Sequence, residues 1–480
     1  MTTILVFIKK IIPKKLFKKM QPAYHFILNG LAVLRYRFPS NQIIVVGVTG
    51  TTGKTTTVFM IAEMLREAGL KVGYTSTAMF SNGENDWLND KKMTMLGRFF
   101  TQKMLRQMVN NKCEVAIVET TSEGIEQFRH RFINYDIVEF TGLYPEHIDS
   151  HGSFENYKNA KLKLFKHLES CREKKLQFAT HNSLRNIQKT IIVNLDDKYA
   201  GEFLDFKVAR KIGFIKSQDT RNEIQINNKL QNINSEAKTN IELQNIKSKN
   251  KTDNLEKVGY KFLEMNKVGT KFLFNNTEIQ LNILGDFNAL NATAAGCVGK
   301  SLGLDSTQIK NGLEKIKSLP GRLERVDAGQ NFTVIVDYAF EPVAVGKLYE
   351  TVSVLQPQKI IHVLGSTGGG RDISRREKLG RLAGKKADYV IVTNEDPYDD
   401  NPMEIIKNVA DGVKRVGKVE NENLFLIKDR EAGIKKAISL AGDGDVVLVT
   451  GKGSEQAIAV ANGKLIPWDD RKVAREILEG

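Results

Sequence analysis

Short runs of apolar, β-branched residues recur along this chain, separated by stretches whose apolar positions repeat at helical spacing. Ile43-Ile44-Val45-Val46 leads into a glycine- and threonine-rich loop and then an apolar-periodic stretch from Val58 to Leu70. That order is strand, loop, helix. Val115 to Val118 and Ile137 to Phe140 are two further runs of buried-strand type. After Leu319-Pro320-Gly321 a second series begins, with strands expected at Phe332–Val336, Ile360–Leu364, Tyr389–Val392 and Val446–Val449. Strands apolar on both faces and alternating with helices predict an α/β protein whose sheets are mainly parallel and covered on both sides.

Three stretches organise the 480 residues. Residues 1–40 form a basic and apolar N-terminal segment, 41–320 a central domain, and 321–480 a C-terminal domain beginning at the Pro-Gly pair. Residues 217–254 are rich in Asn, Lys, Gln and Ser and lack proline and glycine, so they read as a polar insertion. Three cysteines, Cys113, Cys171 and Cys297, are too few and too scattered for a disulfide scaffold or a redox pair, and predict a reducing, cytoplasmic setting.

The net charge of +15 suggests nucleic acid until its distribution is followed. Residues 1–40 hold eight cations (Lys9, Lys10, Lys14, Lys15, Lys18, Lys19, Arg35 and Arg37) and no acid, leaving only +7 for the rest. No nucleic-acid partner is expected. The apolar run Ile4 to Ile8 is too short to span a bilayer. Two readings of the segment stand side by side. It lies on an anionic membrane surface, at the inner face of the plasma membrane, or it packs as a basic helix on the protein's own body.

The strongest local chemistry lies in Gly47-Val48-Thr49-Gly50-Thr51-Thr52-Gly53-Lys54-Thr55-Thr56, between strand and helix. Glycines let the backbone curl so that its N–H groups face phosphate oxygens, and the helix N-terminus adds positive potential. Lys54 would reach the β- and γ-phosphates and the Thr55 hydroxyl a magnesium ion. Val48 stands at the first glycine position of the strict motif, but the context remains that of an ATP or GTP loop. The fold expected is a P-loop mononucleotide-binding central domain followed by a Rossmann-like α/β C-terminal domain.

The loop from Gly50 to Thr56 resembles the nucleotide loop of the Mur ligases, ATP-dependent amide ligases of cell-wall assembly. Further segments match in order. Val118-Glu119-Thr120-Thr121-Ser122 is similar to the family's strand-end glutamate motif, Glu146-His147-Ile148-Asp149 to its Asp-His-Leu-Asp segment, and Tyr157-Lys158-Asn159-Ala160-Lys161 to its modified-lysine helix. Phe287-Asn288-Ala289-Leu290-Asn291 resembles the adenine-contacting segment. Leu319 to Val326, Val336-Asp337-Tyr338-Ala339 and Gly451-Lys452-Gly453-Ser454-Glu455 resemble the hinge and third domain of the branch that adds the third residue of the peptide stem.

The resemblance implies roles residue by residue. Gly50, Thr51, Thr52, Gly53, Lys54, Thr55 and Thr56 would cradle ATP, with Asn288 and Asn291 at the adenine. Arg322 and Asp337 would reach the phosphates and ribose from across the hinge. Thr55, Glu119 and His147 would hold Mg²⁺, and a carbamylated Lys161 would position a metal or a substrate-side group. Catalysis would rest on Lys54, Lys161, His147 and Asp337. The acceptor amino acid would meet Arg371, Glu395, Asp396, Tyr398, Gly451 and Glu455.

In this pattern Tyr398 stands where diaminopimelate ligases carry an arginine, and the acids around it favour an ammonium group, as on lysine or ornithine. Only about forty residues precede the phosphate loop, so the family's N-terminal UDP-binding domain is expected to be missing or much reduced. The implied reaction adds an amino acid to UDP-N-acetylmuramoyl-L-Ala-D-Glu through an acyl phosphate. A folylpolyglutamate- or cyanophycin-type ligase is the enzymatic alternative, and a non-catalytic membrane-associated nucleotide-binding scaffold the other.

Overall fold

A computed structural model describes residues 14–145, 151–177, 184–217, 255–370 and 373–480, with side chains from 23 onward except at 177, 184 and 185. His147 and Arg371 lie outside the described residues, as does all of the polar insertion but Ser217.

Among the described residues, helix α1 (Lys14–Arg35) comes before strand β1 (Ile44–Thr49) and helix α2 (Lys54–Glu67). β1 lies within an eleven-stranded sheet. It pairs in parallel with Val115–Glu119 on one side and Ile137–Phe140 on the other, with Val46 opposite both Ile117 and Ile137. Thr190–Asn194, Arg210–Lys216 and Leu255–Met265 continue the parallel set beyond Ile137–Phe140, and Val72–Thr75 extends it beyond Val115–Glu119. Antiparallel hairpin strands finish both edges.

Alternation along β1 divides the apolar side chains between two cores. Ile44, Val46 and Val48 join Val58, Ile61 and Leu65 of α2, whereas Ile43 and Val45 face the opposite layer with Met104, Leu105 and Phe165. Burial on both faces explains why these strands show as unbroken apolar runs. The start of Ile137–Phe140 is pinned by the buried Asp136, which accepts from the Val45 amide at 2.9 Å and pairs with Lys174 at 2.5 Å and Lys189 at 2.9 Å.

A second sheet of six strands carries the C-terminal part. Thr333–Asp337, Val446–Thr450, Ile360–Leu364, Tyr389–Thr393 and Leu424–Ile427 run parallel, and Glu324–Val326 adds an antiparallel edge. The expected strands at Ile137–Phe140 and Ile360–Leu364 have those bounds, and the others shift by one to three residues. Past the polar insertion the sheet resumes at Leu255, four residues before Gly259, where the composition turns globular.

Candidate active site

The phosphate loop turns at the C-terminal end of β1, the end at which parallel sheets bind ligands. Gly50 has φ +155° and Gly53 φ +81°. A Cβ at Gly50 would collide with the Thr141 hydroxyl, and one at Gly53 with the Asn291 amide oxygen, so neither place admits a side chain. The loop is braced from outside. The Thr51 amide donates to the Gly142 carbonyl at 2.8 Å, and the Thr141 hydroxyl donates to the Thr52 carbonyl at 2.7 Å.

Two lysines converge on this loop. Lys54 Nζ donates to the carbonyls of Thr51 at 2.7 Å and Gly50 at 3.2 Å. Lys161, almost fully buried on the helix Phe154–Glu169, donates to the same Gly50 carbonyl at 2.7 Å. Its ammonium lies 4.5 Å from the centre of the Tyr157 ring, whose hydroxyl reaches Thr51 Oγ1 at 3.2 Å. The expected modified-lysine helix thus faces the phosphate loop.

Glu119 ends its strand beside Thr55. The Thr55 hydroxyl donates to Glu119 Oε2 at 2.9 Å, and Thr77 donates to the same carboxylate through its amide at 2.7 Å and its hydroxyl at 3.0 Å. A carboxylate and a hydroxyl are hard oxygen donors suited to magnesium, which takes its remaining ligands from water and phosphate. Among the described residues no three His, Cys, Asp or Glu side chains cluster as a metal cage. His151, from the same segment as His147, meets Ser122 Oγ at 3.1 Å. Burial, outweighing Glu123 and Glu126, keeps its imidazole below the ordinary value.

Asn288 and Asn291 face each other. Asn291 Nδ2 donates to Asn288 Oδ1 at 3.1 Å, and Asn288 Nδ2 donates to the Leu284 carbonyl at 2.6 Å. With Asn291 Oδ1 against Gly53, the pair ties the helix Asp286–Ser301 to the phosphate loop. Asp337 accepts from the amides of Leu323 and Ala339, both at 2.7 Å. Burial raises its carboxyl, against the pull of Arg322 and those two amides. Arg322 lies 4.3 Å over the Tyr338 ring and donates to the Gly321 carbonyl. Asp337 and Arg322 thus make their contacts within residues 321–339, the segment that resembles the family's hinge.

The predicted acceptor residues other than Arg371 gather past the C-terminal ends of Tyr389–Thr393 and Val446–Thr450, two interior strands of the second sheet. Asp396 Oδ1 accepts from Lys452 at 2.9 Å and from the Ala459 amide at 2.7 Å, and Lys452 also reaches Glu455 at 2.5 Å. Lys92, from the loop after the Asp86–Leu88 strand, crosses to this cluster. It pairs with Asp396 at 2.5 Å and Glu455 at 3.2 Å, and donates to the Ala457 carbonyl at 3.0 Å. Burial favours a neutral Asp396, but Lys452 and Lys92 outweigh it and hold the carboxyl below its ordinary value. Two lysines therefore already answer the acids that the sequence offers to an ammonium. Glu395 is buried beside Gly451, its Oε2 lacks a hydrogen-bond partner, and burial with Asp396 raises its carboxyl. Tyr398 lays its ring against Gly369 of the loop that leads to Arg371.

Sequence reasoning missed Lys92 and a pair of neighbouring guanidiniums, Arg98 and Arg129. Arg129 donates to the Met95 carbonyl and to Gln127, and Arg98 lies 2.5 Å from His25 Nδ1. The Nε atoms of both arginines are buried without a hydrogen-bond partner. Burial lowers both, and Arg98 further lowers Arg129 against the opposing pull of Glu123. Thr94, one residue before Met95, lies 2.9 Å from the Thr77 hydroxyl that donates to Glu119, linking this patch to the loop.

Comparison with known proteins agrees with this geometry. The Mur ligase middle domain matches residues 48–299, and the Mur ligase glutamate ligase domain matches residues 321–453. The UDP-N-acetylmuramyl-tripeptide synthetase of Borreliella burgdorferi is 34% identical over 455 residues, 94% of this chain and 79% of its own. The UDP-N-acetylmuramoyl-L-alanyl-D-glutamate–2,6-diaminopimelate ligase of Syntrophomonas wolfei is 31% identical over 94% of this chain and 81% of its own. Among solved structures, the folylpolyglutamate synthase of Mycobacterium tuberculosis complexed with ADP and AMPPCP shares the fold with a TM-score of 0.61 at 14% identity, covering 94% of this chain and 95% of that one. The chain belongs to the Mur ligase family.

Proposed function

We propose that this protein is a cytoplasmic ATP-dependent amide ligase of peptidoglycan precursor synthesis, adding a diamino acid to UDP-N-acetylmuramoyl-L-Ala-D-Glu. The observation that carries the reading is the convergence of Lys54 and Lys161 on the Gly50 carbonyl beside the Thr55–Glu119 pair. A carboxylate acylates poorly, so the donor carboxylate first attacks the γ-phosphate to give an acyl phosphate. The incoming amine then displaces phosphate through a tetrahedral intermediate. Anionic oxygens accumulate in both steps, and fixed cations stabilise them.

Lys54 binds and orients the β- and γ-phosphates, while the loop amides hold the chain of phosphates in place. Thr55 and Glu119 would hold Mg²⁺, which neutralises phosphate charge when bound, and His147 is assigned a second ion through its motif. Carbamylation of Lys161 would convert a donor aimed at the loop into an anion able to position a cation or the attacking group. Arg98 and Arg129 suit a carboxylate of the donor peptide. Asp337 and Arg322 set the hinge whose closure excludes water from the acyl phosphate.

The reading is tested by phosphate release from ATP with UDP-N-acetylmuramoyl-L-Ala-D-Glu and a panel of amino acids, with products followed by mass. A product heavier by one amino-acid residue, formed only with ATP, is expected with lysine or ornithine. Silence across the panel, with turnover of a folate or polyamide acceptor instead, would overturn it.

The acceptor cluster adds a sharper expectation. Lys92 presents an ammonium to Asp396 and Glu455, the groups assigned to the incoming amino acid. Lys92→Met should lower the KM for a diamino acid about tenfold, one charge-assisted hydrogen bond's worth, with the KM for ATP unmoved. An unchanged or higher amino-acid KM would show that Lys92 does not compete for that place.

A further inference from the structure

We propose that the outward face of α1 docks on an anionic lipid bilayer, holding the protein at a membrane surface. The inner face of this helix is fixed to the body. Asn29 Nδ2 donates to the Phe128 carbonyl at 2.9 Å, Ala32 and Val33 are buried, and Arg106 donates to the carbonyls of Tyr36 and Arg37 that follow the helix. The opposite face carries Ile27, Leu31 and Leu34, which are 60%, 51% and 61% exposed, with Phe38 just beyond at 43%. The spacing 27, 31, 34 is one helical stripe. Such a row of large apolar side chains on a firmly held helix is presented to a partner.

Charge selects the partner. Residues 1–40 carry eight lysines and arginines and no acid, so the stripe is set in a uniformly cationic segment. A second copy of the chain would bring the same charges against it. The segment ahead of residue 14 adds Lys9 and Lys10 without an acid, so it too would meet the helix with like charge. A nucleic acid would answer the charge and leave the stripe in water. An anionic bilayer answers both, taking the apolar side chains into the acyl boundary while the cations meet phosphate headgroups. Among the described residues no helix is long and apolar enough to cross a membrane, so the contact is one of lying on the surface.

The test uses the full-length protein, sedimented with vesicles of phosphatidylcholine containing phosphatidylglycerol and with vesicles of phosphatidylcholine alone. Binding is expected only to the anionic vesicles and should weaken as salt is raised. Leu31→Glu/Leu34→Glu should reduce the bound fraction about tenfold. The milder Leu34→Ser gives a smaller loss in a variant whose fold is undisturbed, checked by an unchanged circular dichroism melt and unchanged ATP turnover. Equal binding by wild type and both variants, or no binding to anionic vesicles, overturns the proposal. Self-association broken by the same variants without vesicle binding also overturns it, and assigns the stripe to a second copy.

Discussion

Lys54→Ala is expected to lower ATP-dependent ligation by about 10³-fold or more while leaving the melting temperature nearly unchanged. The reason lies in what Lys54 touches. Its ammonium donates to two loop carbonyls, those of Gly50 and Thr51, and pairs with no carboxylate among the described residues. Truncation therefore strands no buried charge, the usual source of large destabilisation on removing one partner of an ion pair. The loop is also held independently by the Thr51–Gly142 and Thr141–Thr52 hydrogen bonds. What is lost is the cation proposed to meet the γ-phosphate. Lys54→Arg should recover little, because a planar fork does not reproduce a compact point charge. Phosphate release and product mass, measured beside a thermal melt, give the answer. A rate within a few-fold of wild type would remove Lys54 from the mechanism and weaken the ligase reading with it.

What could be read in advance was local. The parallel strands show as apolar runs because both faces of each sheet are covered, and the phosphate loop shows because its glycines, Lys54 and Thr55 are neighbours in sequence. Glu119 and Lys161 entered only through resemblance to a family, since nothing in Val115–Glu119 or in the helix Phe154–Glu169 alone says that either meets the loop. Lys92 was invisible in a different way. Its partner Asp396 lies 304 residues away, across two sheets, and the sequence Asp90-Lys91-Lys92 reads as a solvated charge run. Asn288 and Asn291 illustrate the converse: amides that suit an adenine edge equally suit one another, and only coordinates show the second use. For the same reason the acidic segment from Asn394 to Asp400 suggested open carboxylates, whereas Asp396 is paired twice.

Glu139→Leu is expected to stabilise the protein, and increasingly so as pH rises from about 5 to 8. Glu139 sits in the strand Ile137–Phe140, between Val48 of β1 and Ile192. It is fully buried, and neither carboxylate oxygen has a hydrogen-bond partner. Burial alone pushes its carboxyl up to about 8. In the unfolded chain the same group ionises near 4.5. Between those values the folded protein holds a proton that the unfolded chain has released, so stability falls as pH rises through this window and levels off above it. At 1.36 kcal/mol per unit the full span amounts to about 4–5 kcal/mol, an upper figure for a group that local opening can hydrate.

Buried histidines act in the opposite sense and in a different window. Burial holds His130 down to about 2 and His362 to about 3, so each costs stability only as pH falls below 6.5, where the unfolded imidazoles take up protons. The raised carboxyls of Asp337 and Glu395 act in the same sense as Glu139, so the part of the decline from pH 6.5 to 8 that disappears on substituting Glu139 is its signature. Thermal melts across that range should slope downward in wild type and flatten in Glu139→Leu, with a gain of several degrees at pH 8. Glu139→Gln should flatten the slope with a smaller gain, because an unpaired amide remains in an apolar layer. Parallel profiles for wild type and both variants would show that the carboxyl ionises in the folded protein as it does in water.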